Sequence, residues 1–508
     1  MEHRFFLTVL SLFALVFISF KVLYIPKKEV DSKKPNIIVM LTDDQRYDAL
    51  GFTGNTFLKT PNIDALAKLS VYFKNGFVTT PICCASRANV LTGQYASRNG
   101  VPDFFSPINL ETSYPAKLRD NGYYTGFIGK WGTLESDTLY FEKSAKLFDF
   151  WAGSMGQANY WHERDCNYVR NNGTSEKLSF YCDCPKDKRG VSGEGIRVGK
   201  ANIKDPIHLS TEIIPLKMKQ FLEQRDDKKP FCMSISFKAP HGPWGDFDKQ
   251  YKTAYDGKKM PIASSVDLKN AMSRPDFLRV SLNGNNMIDQ VKNKNKLNGR
   301  LQNSMRNYYR LIDGIDNSVG QILEELRNRN LLENTIIIFL SDNGQFMGEH
   351  GFHGKWLMYE ESIRVPFFIY DPRSPTSKKE RFSDDMVLSI DVAPTVLEYA
   401  GVKIPNSMQG KSLANYNSKK RKSFRNEIFV EHMYGHGKRK NHIERSWCIR
   451  TNKFKYIKYK DQTGPISEEL YDLENDPLEM HNISNLHLNK NRLIEFRKSL
   501  DAYLINVK

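Results

Sequence analysis

The chain has 508 residues, 40% hydrophobic and 26% charged, which excludes a wholly disordered or fibrous chain and a minidomain held only by staples. Lys and Arg number 74 against 58 Asp and Glu, leaving a formal charge of +16. A chain this basic attracts polyanions such as nucleic acid, anionic lipid and sulfated or phosphorylated sugars, and its seven cysteines are too few for a disulfide scaffold.

In chain order, residues 5–20 form an apolar run behind Arg4, which reads as a signal-peptide core or a short anchor. Lys21 interrupts the run before Val22, Leu23, Tyr24 and Ile25 extend it. No A-x-A pattern follows, which favours an uncleaved anchor over residues 5–25. Lys27, Lys28, Lys33 and Lys34 on the trailing side oppose moving that side across a membrane. Residues 1–30 are therefore set apart as signal peptide or membrane anchor. Either reading puts the chain on a secretory route, to the outside, the periplasm or an endomembrane lumen. Asn172-Gly173-Thr174 and Asn482-Ile483-Ser484 are glycosylation sequons. Cys166, Cys182 and Cys184 read as loop cysteines open to disulfide pairing.

Residues 36–41 (NIIVML) are a continuous apolar run, as a strand buried on both faces requires, and Thr42-Asp43-Asp44 follow it. Residues 231–237 read as a further strand, ending near Pro240-His241. Residues 281–300 are rich in Asn and Lys and read as a polar surface insertion. Leu311, Ile312, Ile315, Val319, Ile322 and Leu323 recur at helical spacing within 308–328. Residues 335–340 (TIIIFL) are a second buried strand, followed by Ser341-Asp342-Asn343-Gly344. Strands alternating with helices predict an α/β sheet flanked by helices over 35–412, closed by a helix at 391–400. A basic connector at 417–425, short strands at 428–430, 447–459 and 469–473, and a terminal helix predict a small α+β domain over 413–508.

The acidic pairs share one context, the carboxyl end of a buried strand, where open α/β sheets bind ligands. Asp43, Asp44, Asp342 and Asn343 brought to one point need a cation to offset their repulsion, and an all-oxygen set suits Ca²⁺ or Mg²⁺. Taken singly, the pairs also read as a helix cap and a turn. In the segment Cys83-Cys84-Ala85-Ser86-Arg87 through Leu91-Thr92-Gly93, Ser86 reads as the N-cap of a helix starting at Arg87. The cysteines would then lie at the positive helix end, with Arg87 as a fork for an oxyanion. A phosphatase loop of the C-x5-R type is excluded, because Asn89 and Val90 stand where its arginine would be.

That segment resembles the signature of the type I sulfatases, C-x-P-S-R-x-x-x-L-T-G, with Ala85 in place of proline. The resemblance extends through residues 36–44 and 341–344, Pro240-His241, the block Phe127-Ile128-Gly129-Lys130-Trp131, and Gly348 to Pro366 with Lys355. It implies an alkaline-phosphatase-like fold, a large mixed sheet flanked by helices plus a small C-terminal α+β domain. It implies that Cys83 becomes formylglycine through a maturation enzyme and acts as the catalytic nucleophile, as the hydrate. It implies one divalent cation, Ca²⁺, on Asp43, Asp44, Asp342, Asn343 and position 83. Arg87, Lys130 and Lys355 would stabilise sulfate oxygens, and His241 or Lys355 would protonate the leaving alcohol. Many members of the family carry histidine where Gly132 follows Trp131 here.

The resemblance thus implies hydrolysis of sulfate monoesters through a covalent enzyme sulfate. Residues 148–160 resemble carbohydrate sulfatases of the N-acetylglucosamine-6-sulfatase type. With the positive charge, they point to a sulfated carbohydrate such as a glycosaminoglycan-like polysaccharide. Two alternatives are a phosphonate or phosphate ester hydrolase of the same superfamily and a polyanion-binding pseudoenzyme. A nucleic-acid binder is disfavoured, because no recognition motif accompanies the charge.

Overall fold

The computed structural model describes residues 34–134, 137–154, 156–170, 173, 205–284, 294–374, 381–414, 416, 424–435, 442–462 and 467–507. The apolar run at 5–25, Cys182, Cys184, the sequon at Asn172 and most of the connector at 417–425 lie outside the described residues. Among the described residues, no helix is long and apolar enough to cross a membrane.

Residues Pro35–Lys508 form one compact unit. Its main sheet has eight strands, β1 (Asn36–Thr42), β2 (Val71–Phe77), β3 (Tyr124–Lys130), β4 (Phe150–Ser154), β5 (Phe231–Ser236), β6 (Thr335–Ser341), β7 (Phe367–Tyr370) and β8 (Arg381–Leu388). Their spatial order is β8-β2-β7-β6-β1-β5-β3-β4. Only β7 runs antiparallel to its neighbours, so the sheet is mixed as predicted. All seven residues of β1 and of β6 are buried, because helices cover both faces. Ile37, Val39 and Leu41 face one apolar layer with Val392, Val396 and Leu397 of the helix Val392–Tyr399. Ile38 and Met40 face the other, with Leu311, Ile315, Val319 and Ile322. Those four belong to the helix Lys294–Asn328, which begins inside the segment read as a polar insertion. Its apolar stripe explains the difference, since Leu301 is already buried.

The small sheet is an antiparallel meander of β9 (Glu427–His432), β10 (Ser446–Thr451), β11 (Phe454–Tyr459) and β12 (Glu468–Asp472). The helix Lys490–Asn506 packs on it through Leu493, Phe496, Leu500 and Tyr503. The single run read at 447–459 is in fact the pair β10 and β11. A buried polar network ties this sheet to residues 348–363. Lys455 is fully buried, with Nζ 2.9 Å from Glu360 and 2.7 Å from Glu479. Arg274 donates to Tyr471 Oη at 2.6 Å and to the Glu479 carbonyl at 2.7 Å, and its NH2 lies 2.7 Å from His350 Nδ1. Removing one member of such a network strands a buried charge.

Candidate active site

The four central strands β6, β1, β5 and β3 are all parallel, so their carboxyl ends open on one edge of the sheet. Thr42 of β1 lies beside Ser341 of β6, and Leu41 beside Ser236 of β5. That register brings Asp43-Asp44, Asp342-Asn343, Lys130 and the loop to His241 to one place.

Asp43 is fully buried, and its Oδ2 accepts from Lys130 Nζ at 2.6 Å with Arg87 at 3.3 Å. Burial works to raise this carboxyl, but the charges of Lys130, Arg87 and Lys355 outweigh it and hold it well below the usual carboxylate range. Asp44 takes a left-handed backbone, with φ of +65°. Its amide donates to Asp342 Oδ1 at 3.2 Å, and its Oδ1 accepts from Lys355 Nζ and Asn343 Nδ2, both at 2.5 Å. Tyr308 locks the same turn, donating to the Asp44 carbonyl at 2.6 Å while accepting from the Arg46 amide at 3.0 Å. Asp342 is pushed up to about 7, first by burial and then by the charge of Asp43.

The helix Cys83–Thr92 begins one turn earlier than expected. Ser86 is therefore not the N-cap. Ile82 holds that position with extended φ and no side-chain cap, and the Ser86 amide already donates to the Ile82 carbonyl at 2.8 Å. The consequence is that Cys83 is the first helical residue. It is 1% exposed. Burial pushes its thiol up, while the charges of Lys130 and Lys355 pull the other way. Arg87 also lies wholly inside. It reaches Asp342 at 2.7 Å, the Lys130 carbonyl at 3.1 Å and the hydroxyl of Ser236.

Lys130 ends β3, is fully buried, and donates also to Gln157 Oε1 at 2.7 Å. His241 is the exposed member, with a quarter of its side chain reaching solvent and Nε2 3.7 Å from Asp44 Oδ2. Burial lowers it to about 4, so it is neutral at neutral pH. Lys355 is held charged, because Asp44 and its neighbours outweigh burial. Its backbone is clamped by Asn283, whose Nδ2 donates to the carbonyls of His353 at 2.8 Å and Lys355 at 2.5 Å. His350 does not replace the histidine missing at Gly132. His350 is turned toward Arg274 and Glu361, and His353 is partly exposed.

The donors suit a hard cation. Asp43 Oδ1 and Asn343 Oδ1 are buried without a hydrogen-bond partner. Ligand atoms of Asp43, Asp44 and His241 lie within 4.8 Å of one another. The three carboxylates Asp43, Asp44 and Asp342 face three cations, Arg87, Lys130 and Lys355, so a divalent ion would leave surplus positive charge for an anionic substrate. Sequence reasoning missed Tyr308, Asn283 and Gln157. Only Gln157 left a signal, since it falls in the stretch 148–160 singled out by resemblance.

Gly132 has φ of +71°, and a Cβ added there would lie 2.6 Å from Arg87 Cδ and 3.0 Å from its Nε. A side chain at this position displaces Arg87. Gly132→His is expected to destabilise the fold by about 1–3 kcal/mol from backbone strain alone, read as a lower Tm, and to lower rather than raise turnover.

Residues 35–402 match the protein family described as Sulfatase. Residues 348–506 match that described as N-sulphoglucosamine sulphohydrolase, C-terminal. An arylsulfatase of Clostridium perfringens is 30% identical over 479 residues, covering 92% of this chain and 94% of that protein. An N-acetylglucosamine-6-O-sulfatase of Bacteroides thetaiotaomicron is 30% identical over 513 residues, covering 90% and 84%. A solved structure described as in complex with its substrate D-glucosamine-2-N,6-O-disulfate superposes with a TM-score of 0.73 at 26% identity, covering 94% of this chain and 98% of that one.

Proposed function

We propose a substrate and a mechanism from one premise: this chain belongs to the sulfatase family and is a sulfatase. It removes sulfate from a sulfated carbohydrate of the glycosaminoglycan-like class. The named relatives that act on N-acetylglucosamine-6-O-sulfate and glucosamine disulfate support that choice, as does the net charge of +16. The catalytic domain is read as 35–412 and the appended small domain as 413–508. The apolar run near the N-terminus supports a secretory route, where such polymers are met.

Position 83, after conversion of its thiol to formylglycine by a maturation enzyme, supplies the nucleophilic hydroxyl. Asp43, Asp44, Asp342 and Asn343 would hold one Ca²⁺, which when bound lowers the pKa of a coordinated hydroxyl and offsets sulfate charge. Lys130 and Lys355 reach the site as buried cations and set fixed positive charge against the sulfate oxygens in a low-dielectric pocket. Arg87 braces Asp43 and Asp342 and adds its charge beneath position 83. Lys355 and His241 flank the leaving oxygen, with His241 on the solvent side, where the alcohol departs. The observation that carries this reading is the convergence of Asp43, Asp44, Asp342, Asn343, Lys130 and Lys355 on the end of the helix that begins with Cys83.

The test has two arms. Mass spectrometry of the tryptic peptide spanning 75–87, from protein of the native host, should show loss of sulfur and two hydrogens against gain of one oxygen. The same protein should hydrolyse glucosamine 6-sulfate far faster than glucosamine 6-phosphate. An intact thiol throughout, or preference for the phosphate, overturns the mechanism or the substrate respectively.

A further inference from the structure

Lys355 is buried, yet His353, Gly354 and Trp356 around it are all partly exposed. The lysine thus sits directly beneath solvent. Trp356 holds φ of +83°. A bulky residue in that region costs on the order of 1–3 kcal/mol and persists only where its surroundings fix it. Two features fix it here. Asn283 pins the carbonyls on either side of Gly354. Gly354 is itself left-handed at +80°, and a Cβ there would stand 3.0 Å from the indole Cζ3, so the ring lies across the glycine.

The indole also has aromatic company. Trp356, Phe104 and Tyr434 are partly exposed and pack against the small apolar group Ile82, Ala85 and Ala96. Ile82 directly precedes Cys83, and Ala85 lies in the first turn of the same helix. Phe104 and Tyr434 meet edge to face at 5.3 Å. The indole Nε1 is buried and has no hydrogen-bond partner. An aromatic surface therefore spans from the helix that carries position 83 to the residue after Lys355. The charges that would grip a sulfate supply no reason for it.

We propose that Trp356, backed by Phe104 and Tyr434, is the platform on which the sugar ring bearing the sulfate stacks, an assignment that rests on the sulfated-carbohydrate reading. A pyranose offers an apolar C–H face that is buried against an indole, while its sulfate turns toward Lys130 and Lys355. Free sulfate has no such face and gains nothing from the ring. Affinity for the sugar and affinity for the anion are thereby separable.

The test uses the full, matured chain and two variants. Trp356→Gly removes the ring and suits the left-handed backbone, so relief of strain offsets part of the lost packing, and kinetics are read well below its Tm. Trp356→Phe keeps a smaller ring. The probes are glucosamine 6-sulfate, N-acetylgalactosamine 4-sulfate, 4-nitrophenyl sulfate, and inorganic sulfate as inhibitor. Trp356→Gly should raise KM for the sugar sulfate that the parent turns over by about tenfold, the scale of one lost stacking contact. Trp356→Phe should recover most of that loss, and the inhibition constant of inorganic sulfate should not change in either variant. An unchanged KM in Trp356→Gly overturns the platform. A sulfate inhibition constant that rises in step with KM also overturns it, leaving Trp356 as a support for Lys355. Turnover of 4-nitrophenyl sulfate by a parent that accepts neither sugar overturns the sulfated-carbohydrate reading and the platform with it, while leaving the sulfatase assignment intact.

Discussion

Cys83→Ala is expected to lower steady-state turnover of sulfate esters by roughly 10⁴–10⁶-fold, the scale on which enzymes lose activity with their nucleophile. Folding should change little. The substitution deletes one sulfur atom from the first turn of a buried helix, and such truncations cost about 1 kcal/mol. A loss confined to kcat, with an unshifted Tm, therefore separates chemistry from packing. Cys83→Ser adds a finer point. A serine hydroxyl can attack sulfur once, but it has no second hydroxyl whose loss of a proton would re-form a carbonyl and expel sulfate by breaking the C–O bond, so steady-state turnover should stay as low as in the alanine variant. Cys84→Ala is the control for position. Cys84 is equally buried and adjacent, yet its substitution should leave turnover largely intact. Equal activity of Cys83→Ala and the parent sinks the nucleophile assignment.

Arg87→Met is expected to damage stability and activity together. The guanidinium is 2% exposed and reaches Asp342 at 2.7 Å and Asp43 at 3.3 Å, both carboxylates being fully buried. Methionine fills much of the volume but leaves those acids with less compensation. Breaking a buried pair from one side costs roughly 3–5 kcal/mol, which should appear as a lower denaturant midpoint. Loss of a fixed positive group beside the reacting centre should reduce kcat/KM by a further 10²–10³-fold, measured well below the melting temperature. Arg87→Lys should rescue neither quantity fully. One ammonium cannot reach Asp342, the Lys130 carbonyl and the Phe237 carbonyl at once, as the planar fork does. A Lys variant with parental stability and kinetics would show that only charge matters at this position.

The central sheet was legible in the sequence because β1 and β6 are buried on both faces. Runs such as NIIVML and TIIIFL have no other stable home, and the acidic residues that follow each run then fall at strand ends. The convergence of those ends was also legible, since parallel neighbours open on the same edge. Other features were not. Ser86 is a good cap by residue type, yet packing carries the helix one turn further back, to Cys83. Tyr308 reads as one more apolar position on a long amphipathic helix. Nothing local says that its hydroxyl closes the Asp44 turn from 264 residues away. Asn283 sits in an Asn-rich stretch where one asparagine looks like the next. Its amide is singled out only by the loop it meets, 70 residues later in the chain. The exchange of histidine for glycine at position 132 is visible in the sequence. That Arg87 occupies the space is visible only in three dimensions.

The depth of Cys83 sets a schedule for making this protein. A side chain 1% exposed under the first turn of a helix offers no approach to another enzyme once the chain has folded. The proposed oxidation at Cys83 therefore has to precede closure, while that segment is still extended. The polar network around Arg274, Tyr359 and Lys455 bears on the timing. It locks the Lys355 loop to Glu469 and Glu479, which leave the ribosome nearly 400 residues after Cys83. Until that late stretch emerges, the Lys355 loop has Asn283 and Asp44 to fasten to but lacks this second set of anchors. On the proposed reading, a Cys83 left unconverted when the chain closes stays a thiol in the folded protein.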